Sequence, residues 1–248
     1  MSQLRDKDTG CEWDKEQTYE SIAPYTIEEA YEVVDAIERS NIKDLKEELG
    51  DLLLQVVFLS QIAKEREEFQ FEDVVLSITE KLIRRHPYVF SQKRNHSSEE
   101  QASQWEEIKS KERAEKKLQG AFDDIPMNLP SLKRSQEIQK RSSKLGFDWP
   151  DVEGVFGKVK EEICELEEAI ASKKNLEAKE EIGDLLMIIT NLALKLDINS
   201  EEALRSSNNK FIKRFSYIEK KLKENELEFS QCSLADLDLL WEESKKLS

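Results

Sequence analysis

Four carboxylates recur twice in this chain at the same spacing. Glu162 and Glu165, followed by Glu181 and Asp184, have counterparts in Glu29 and Glu32, followed by Glu48 and Asp51. A single offset of 133 residues relates all four with no gap. Between Glu28–Leu53 and Glu161–Leu186, 12 of 26 positions are identical. On a helix, residues three apart face the same way, so each pair can aim at one point. A short connection makes the two helices antiparallel neighbours, and the four carboxylates then converge on the gap between them. Like charges that close repel, so the arrangement requires a cation or raised pKa values. An all-oxygen set suits Mg2+, with Mn2+ as the alternative ion, and Mg2+ keeps several waters and accepts phosphate oxygens. A di-iron site would need Glu-x-x-His pairs, and neither motif contains a histidine. The plainer alternative is a solvated acidic face, the default for a Glu pair in a chain with 53 acids. Two features weigh against it. Asp51 and Asp184 each open an apolar run, "DLLLQVVFL" and "DLLMIITNLAL", where an unpartnered carboxylate is costly. The same acids also persist through a duplication in which neighbours have drifted, as in Tyr31 against Cys164.

Cations follow each acid set. Lys210, Lys213 and Arg214 occupy adjacent turns, with Lys210 and Arg214 on one face at i,i+4. Cations across from a metal-loaded acidic cleft can bind the outer phosphates of a nucleotide. The alternative is a helix surface along which Lys and Arg stems simply lie. "EKLIRRHPYV" parallels "NKFIKRFSYI", pairing Lys81 with Lys210 and Arg85 with Arg214. "WEEIK" parallels "WEESK", pairing Trp105 with Trp241. A tryptophan here can stack on a base or seal the core against the last helix. Asn191, polar within an apolar run, can bond a sugar or base, or a backbone carbonyl. Both halves thus keep one order, and the offsets drift only between 129 and 136. These parts fit a metal-bound nucleotide, with Glu162 or Glu165 placed to orient a water and Lys210 and Arg214 to meet its outer phosphates. The rival reading is a helical interaction module whose acids serve only solubility or docking.

The elements that must position these groups read as helices. Thr26 to Glu29 has the form of a capping box, so a helix is expected from there, with Ile27, Tyr31, Val34 and Ile37 as its core face. Asp44 and Glu47 suggest a second start, for a helix reaching about Lys64 that is apolar on nearly every side from Leu49 to Ala63 and hence buried. Further helices are expected over 72–85, 101–118, 132–145, 154–172, 175–196, 200–225 and 234–247, with 91–100 a polar loop. "GCEWDKEQT" and "GFDWPDVEG" read as turn-rich lead-ins. "GAFDDIPMNLPS" carries two prolines and is the best linker candidate. The fold class is therefore all-α, with a domain over 1–118, a linker over 119–131 and a second domain over 132–248.

Composition narrows the classes. In 248 residues, 37% are charged and only 7 Gly and 5 Pro punctuate the chain, which favours long helices joined briefly. The formal net charge of -15 argues against nucleic acid as partner, since phosphate backbones need clustered Lys and Arg. Three scattered cysteines, Cys11, Cys164 and Cys232, fit a reducing cytoplasm better than a disulfide framework. No apolar leader and no run of 18 apolar residues is present, so no membrane association is expected. The two histidines, His86 and His96, are too few for a His-based metal site.

"GCEWDKEQT", "IAPYTIEEAYEV", "EELGDLLLQVVF", "RRHPYVF" and "GFDW…EEIGDLL" resemble the MazG nucleoside triphosphate pyrophosphohydrolases, over essentially the whole chain and in tandem order. The resemblance implies two all-α MazG-like domains, each completing its helical bundle through dimerisation. It implies Mg2+-dependent hydrolysis of NTPs and dNTPs to monophosphate and pyrophosphate, in house-cleaning or stress-linked control of nucleotide pools. By resemblance the C-terminal set is the catalytic one. Its metal ligands are Glu162, Glu165, Glu181 and Asp184, and its nucleotide contacts Lys210, Arg214 and Trp241. Two departures stand out. Family members carry a further helix before the "LRD…GCEWD" stretch, which would leave this N-terminal domain short of packing surface. Members also have Lys where this chain has Glu177, with Lys179 the nearest replacement. All four N-terminal acids are intact, so that domain reads either as a second active site or as a domain that only binds or dimerises.

Overall fold

The computed structural model describes the backbone of residues 1–90, 97–115 and 120–246. Its helices are α1 (Glu12–Glu16), α2 (Tyr19–Glu38), α3 (Ile42–Glu65), α4 (Phe71–Arg85), α5 (Pro87–Phe90), α6 (Ser98–Glu115), α7 (Ser131–Lys144), α8 (Val152–Ala171), α9 (Asn175–Lys195), α10 (Ser200–Glu224) and α11 (Leu234–Lys245), with one 3-10 turn at Phe229–Gln231. No strand occurs among the described residues, so the all-α expectation holds. No helix among them is long and apolar enough to cross a membrane. His96 and the rest of 91–96, together with 116–119, lie outside the described residues.

The chain forms two compact units, Met1–Ala114 and Glu115–Ser248. In each, the acids lie on a helical hairpin, α2–α3 or α8–α9. The two hairpins turn in the same way. Ser40 and Lys173 take left-handed φ values of 54° and 56°. The next residue then reaches back, Asn41 N to Ala36 O at 3.0 Å and Lys174 N to Ala169 O at 3.0 Å. This is the six-to-one bond that closes a helix C-terminus. The turns after α3 and α9 repeat the device, with Glu67 and Asp197 at φ 58° and 56°.

Helix starts differ from expectation. α2 begins eight residues before the anticipated first helical turn at Ile27, because Thr18 and Ser21 form the actual capping box, Ser21 N to Thr18 Oγ1 at 3.3 Å and Thr18 N to Ser21 Oγ at 2.9 Å. The helix tolerates Pro24 within it, at the cost of one backbone hydrogen bond. α3 starts at Ile42, where the Asn41 side chain accepts from Lys43 N and Asp44 N. The "GCEWDKEQT" lead-in contains the short helix α1.

The larger correction concerns burial. Ile27, Tyr31 and Ile37 on α2 are exposed, and so are Leu49, Leu53 and Leu54 on α3. The face of α2 that packs inward instead carries Ile22 and Ala36, and α3 buries Gln55, Phe58, Ser60, Ile62 and Ala63. α9 likewise exposes Leu186, Met187 and Ile189 while burying Ile188, Thr190 and Asn191. The physical reason is that a two-helix hairpin covers only one stripe of each helix. The core of the first unit is the cluster Ile22, Phe58 and Ile62, flanked by Met1, Tyr19 and Leu59. In the second unit, Val155, Ala169, Ile188, Ile218 and Leu222 are buried. There the segment before α7 is held by Arg141, whose Nη1 donates to Ala121 O at 2.6 Å and Asp124 Oδ1 at 3.0 Å.

Candidate functional site

The α8–α9 hairpin brings carboxylate oxygens of Glu162, Glu165 and Glu181 within 4.8 Å of one another. The α2–α3 hairpin does the same for Glu29, Glu48 and Asp51. Asp184 and Glu32, the remaining members of the two sets, stand outside these groupings. Both still act on them electrostatically. Burial and then Glu165, Glu162 and Asp184 push the Glu181 carboxyl above its ordinary range. Burial, followed by Glu32, Asp51 and Glu29, does the same to Glu48. Glu29 is raised by burial and then by Glu32, Asp51 and Glu28, with Gln55 opposing. The apolar runs after Asp51 and Asp184 do not bury these aspartates, which are exposed.

Glu162 is the most buried of the eight acids, at 4% exposure. One of its oxygens is satisfied: Lys158 Nζ lies 2.7 Å from Glu162 Oε1 and 2.7 Å from Glu161 Oε1. These two hydrogen bonds, Glu161 first, hold Lys158 charged well above the usual lysine range. The other oxygen, Glu162 Oε2, is buried with no hydrogen-bond donor. A buried carboxylate oxygen left unpaired is costly, and a hard cation held with Glu165 and Glu181 would offset that cost in the oxygen-only environment that such ions prefer. The residues present therefore fit a divalent cation. Sequence reasoning passed over Lys158, although its i,i+4 spacing to Glu162 is the signal that finds it. At the 133-residue offset its counterpart is Tyr25. The N-terminal cluster is braced differently, by Gln55 Nε2 to Glu29 Oε1 at 3.4 Å.

The proposed nucleotide contacts fall into two groups. On α10, Lys210 is exposed and Arg214 half-buried. The Arg214 guanidinium lies over the Trp241 ring at 5.5 Å, and its buried Nε has no acceptor. Trp241 also meets Phe211 at 5.1 Å between ring centroids, so it joins α11 to α10 while backing the arginine. Lys179 stands exposed on α9. Asn191 is set apart. It is 1% exposed and donates to Gln139 Oε1 at 3.1 Å and Asp148 Oδ1 at 3.2 Å. Its amide thus serves neither a backbone carbonyl nor the open side of α9. Asp148 in turn pairs with Lys195 Nζ at 2.9 Å, and neither residue was singled out from the sequence.

Carboxyl groups raised by burial and then by neighbouring acids predict a measurable metal dependence. A carboxyl whose folded pKa is raised destabilises the fold when ionised, so at neutral pH Glu48 and Glu181 each weaken the metal-free protein. Mg2+ is expected to raise the melting temperature, by about 2.7 kcal/mol of stability for a site saturated at 100 times its Kd. The double variant Glu48→Gln/Glu181→Gln should melt higher than wild type in EDTA and gain little from Mg2+. A calorimetric scan with and without chelator reads both effects.

A tandem all-α protein with an acidic cluster on each helical hairpin is the class that fold and site define. The MazG nucleotide pyrophosphohydrolase domain matches this chain at residues 17–90 and 153–218, one acid set in each segment. The nucleoside triphosphate pyrophosphohydrolase of Escherichia coli K12 is 45% identical over 250 residues, covering 99% of this chain and 94% of that protein. The nucleoside triphosphate pyrophosphohydrolase/pyrophosphatase MazG of Thermotoga maritima is 45% identical over 245 residues, covering 99% and 92%. Protein YabN of Bacillus subtilis is 40% identical over 242 residues, covering 96% of this chain and 48% of its own length. The chain belongs to the MazG nucleotide pyrophosphohydrolase family.

Proposed function

We propose that this protein hydrolyses ribo- and deoxyribonucleoside triphosphates to monophosphate and pyrophosphate, with the chemistry at the C-terminal acids. The observation that carries the assignment is the Glu162–Glu165–Glu181 cluster with its buried, donorless Glu162 oxygen. Glu162, Glu165 and Glu181 would hold the divalent cation, Mg2+ in preference and Mn2+ as the alternative, with Asp184, one turn along α9 from Glu181, as the fourth ligand. When bound, that cation supplies charge stabilisation for the phosphate oxygens and activation of water. Lys158 fixes Glu162 from behind. Glu165, more exposed than Glu162, orients the attacking water and takes its proton. Water adds to the α-phosphorus, the bond to the bridging oxygen breaks, and pyrophosphate leaves. Lys210 and Arg214 offset the charge on the departing phosphates. Trp241 holds Arg214 in position, and this reading assigns Lys179 to phosphate and Asn191, held by Gln139 and Asp148, to the substrate side.

The same reading takes residues 1–118 and 132–248 as the two domains, joined by 119–131. It takes the exposed apolar stripes of α2, α3 and α9 as the surface of a homodimer, and the setting as cytoplasmic control of nucleotide pools. Product analysis tests the chemistry. A panel of NTPs and dNTPs with Mg2+ or Mn2+ is expected to yield monophosphate and pyrophosphate. Release of diphosphate and orthophosphate would refute attack at the α-phosphorus. Glu48→Ala and Glu181→Ala, run separately, assign the turnover to one domain.

A further inference from the structure

The two halves keep the same arginine on the same aromatic face but give it different company. In the C-terminal half, Arg214 lies over Trp241 at 5.5 Å and its Nε is buried without an acceptor. In the N-terminal half, its counterpart Arg85 lies over Trp105 at 5.2 Å. There the guanidinium is already satisfied. Arg85 Nη2 donates to Glu112 Oε2 at 2.5 Å and its Nε to Oε1 at 3.3 Å. Arg84, the counterpart of Lys213, donates to Glu112 Oε1 through Nε at 2.9 Å and Nη2 at 2.7 Å. Glu112 is only 15% exposed at its side chain. The hydrogen bonds from Arg85, then Arg84, hold its carboxyl at about 2, so it stays ionised.

A carboxylate gripped by two guanidinium forks presents the same bidentate edge as a phosphate group. The N-terminal half keeps the other residue types of the repeat: the Glu29–Glu48–Asp51 cluster, and Lys81, Arg85 and Trp105 in the same order along the chain. The tryptophan offset of 136 residues puts Ser248 opposite Glu112, a serine in place of the acid. We propose that Glu112 is a resident substitute for phosphate that occupies the anion subsite of the N-terminal domain and keeps triphosphate out of it. The inference rests on the reading that Arg214 binds phosphate in the C-terminal domain.

The test counts sites on the full chain. The probe is Mg2+ with an α,β-methylene nucleoside triphosphate, which resists cleavage of the α–β bond, measured by titration calorimetry. Wild type is expected to bind one probe per chain and Glu112→Ala two, with Glu112→Gln intermediate because its amide oxygen still accepts. Adding Arg85→Ala to Glu112→Ala should return the count to one. Circular dichroism and the melting temperature establish that each variant is folded. Arg84→Ala, which leaves Glu112 on Arg85, should stay at one and serves as the second variant. One site in folded Glu112→Ala, lost on Arg214→Ala, would overturn the substitute-phosphate role and leave the C-terminal assignment standing. Binding in wild type that survives Arg214→Ala would overturn both. Two sites in wild type would overturn the blocking role alone.

Discussion

Full-length protein carrying Glu162→Ala is expected to release pyrophosphate more than about 100-fold slower than wild type, a loss at least as large as that from removing a supporting residue of a metal site. The same change at Glu29 should lower the rate less than about twofold, since Arg84 and Arg85 of that half are engaged by Glu112. The contrast follows from surroundings rather than residue type. Glu162 is buried, its Oε1 is fixed by Lys158 and its Oε2 is buried with no donor of its own. Alanine removes both the buried carboxylate of the cluster and the anchor for Lys158, which keeps Glu161 as its remaining partner. Glu162→Gln keeps the shape and isolates the loss of charge. Both variants should retain wild-type helicity, because the hairpin is held by its apolar stripe and its turn. A rate within tenfold of wild type for folded Glu162→Ala would remove this residue from the reaction.

Lys195→Met is expected to destabilise the C-terminal unit by about 3 kcal/mol, because it strips the cation from a largely buried carboxylate. In melting temperature that is a drop of about 10 °C. Lys195 and Asp148 are 14% and 15% exposed at their side chains. Lys195 also donates to Trp149 O at 2.5 Å, and Asn191 hangs from the same aspartate. Burial pushes the Asp148 carboxyl up, but hydrogen bonds from Lys195, Ser143 and Asn191 outweigh it and leave it below the ordinary range. A depressed carboxyl contributes stability that is present above its unfolded pKa and lost as pH falls through the folded one. Wild type should therefore lose this contribution on acidification below about pH 4, the unfolded value for aspartate. In Lys195→Met the main opposing donor is gone and burial dominates. The deficit relative to wild type should then shrink as pH falls and Asp148 takes up a proton. Denaturation at pH 7, 5 and 3 separates the two behaviours.

Periodicity made the acid clusters legible, because i,i+3 spacing and a short turn constrain where carboxylates can point before any tertiary contact is known. The duplication then placed Arg85 with Arg214 and Trp105 with Trp241, and the structure lays each arginine over its tryptophan. Local rules failed where two of them competed. Thr26 and Glu29 have the pattern of a capping box, yet Thr18 and Ser21 make the actual cap, and Pro24 did not stop the helix. Hydropathy misjudged Ile27, Leu49 and Leu53 because an apolar residue does not specify which neighbour covers it. Glu112 was beyond reach for a different reason. It meets Arg84 and Arg85 across 28 and 27 residues, a separation that no spacing rule bridges.

The turns at Ser40 and Lys173 bear on how the two copies can change length. Each turn sets the register between an acid pair on one helix and the pair on the next. One extra residue there would rotate the second helix by about 100° relative to the first. Glu48 or Glu181 would then leave its cluster while every helix remained intact. The two segments have diverged at more than half their positions between Glu28 and Leu53, yet they have neither gained nor lost a residue. Substitution is tolerated along these hairpins, whereas an insertion would cost the site its geometry. The left-handed backbone at Ser40 and Lys173, held without glycine in either copy, works as a spacer of set length.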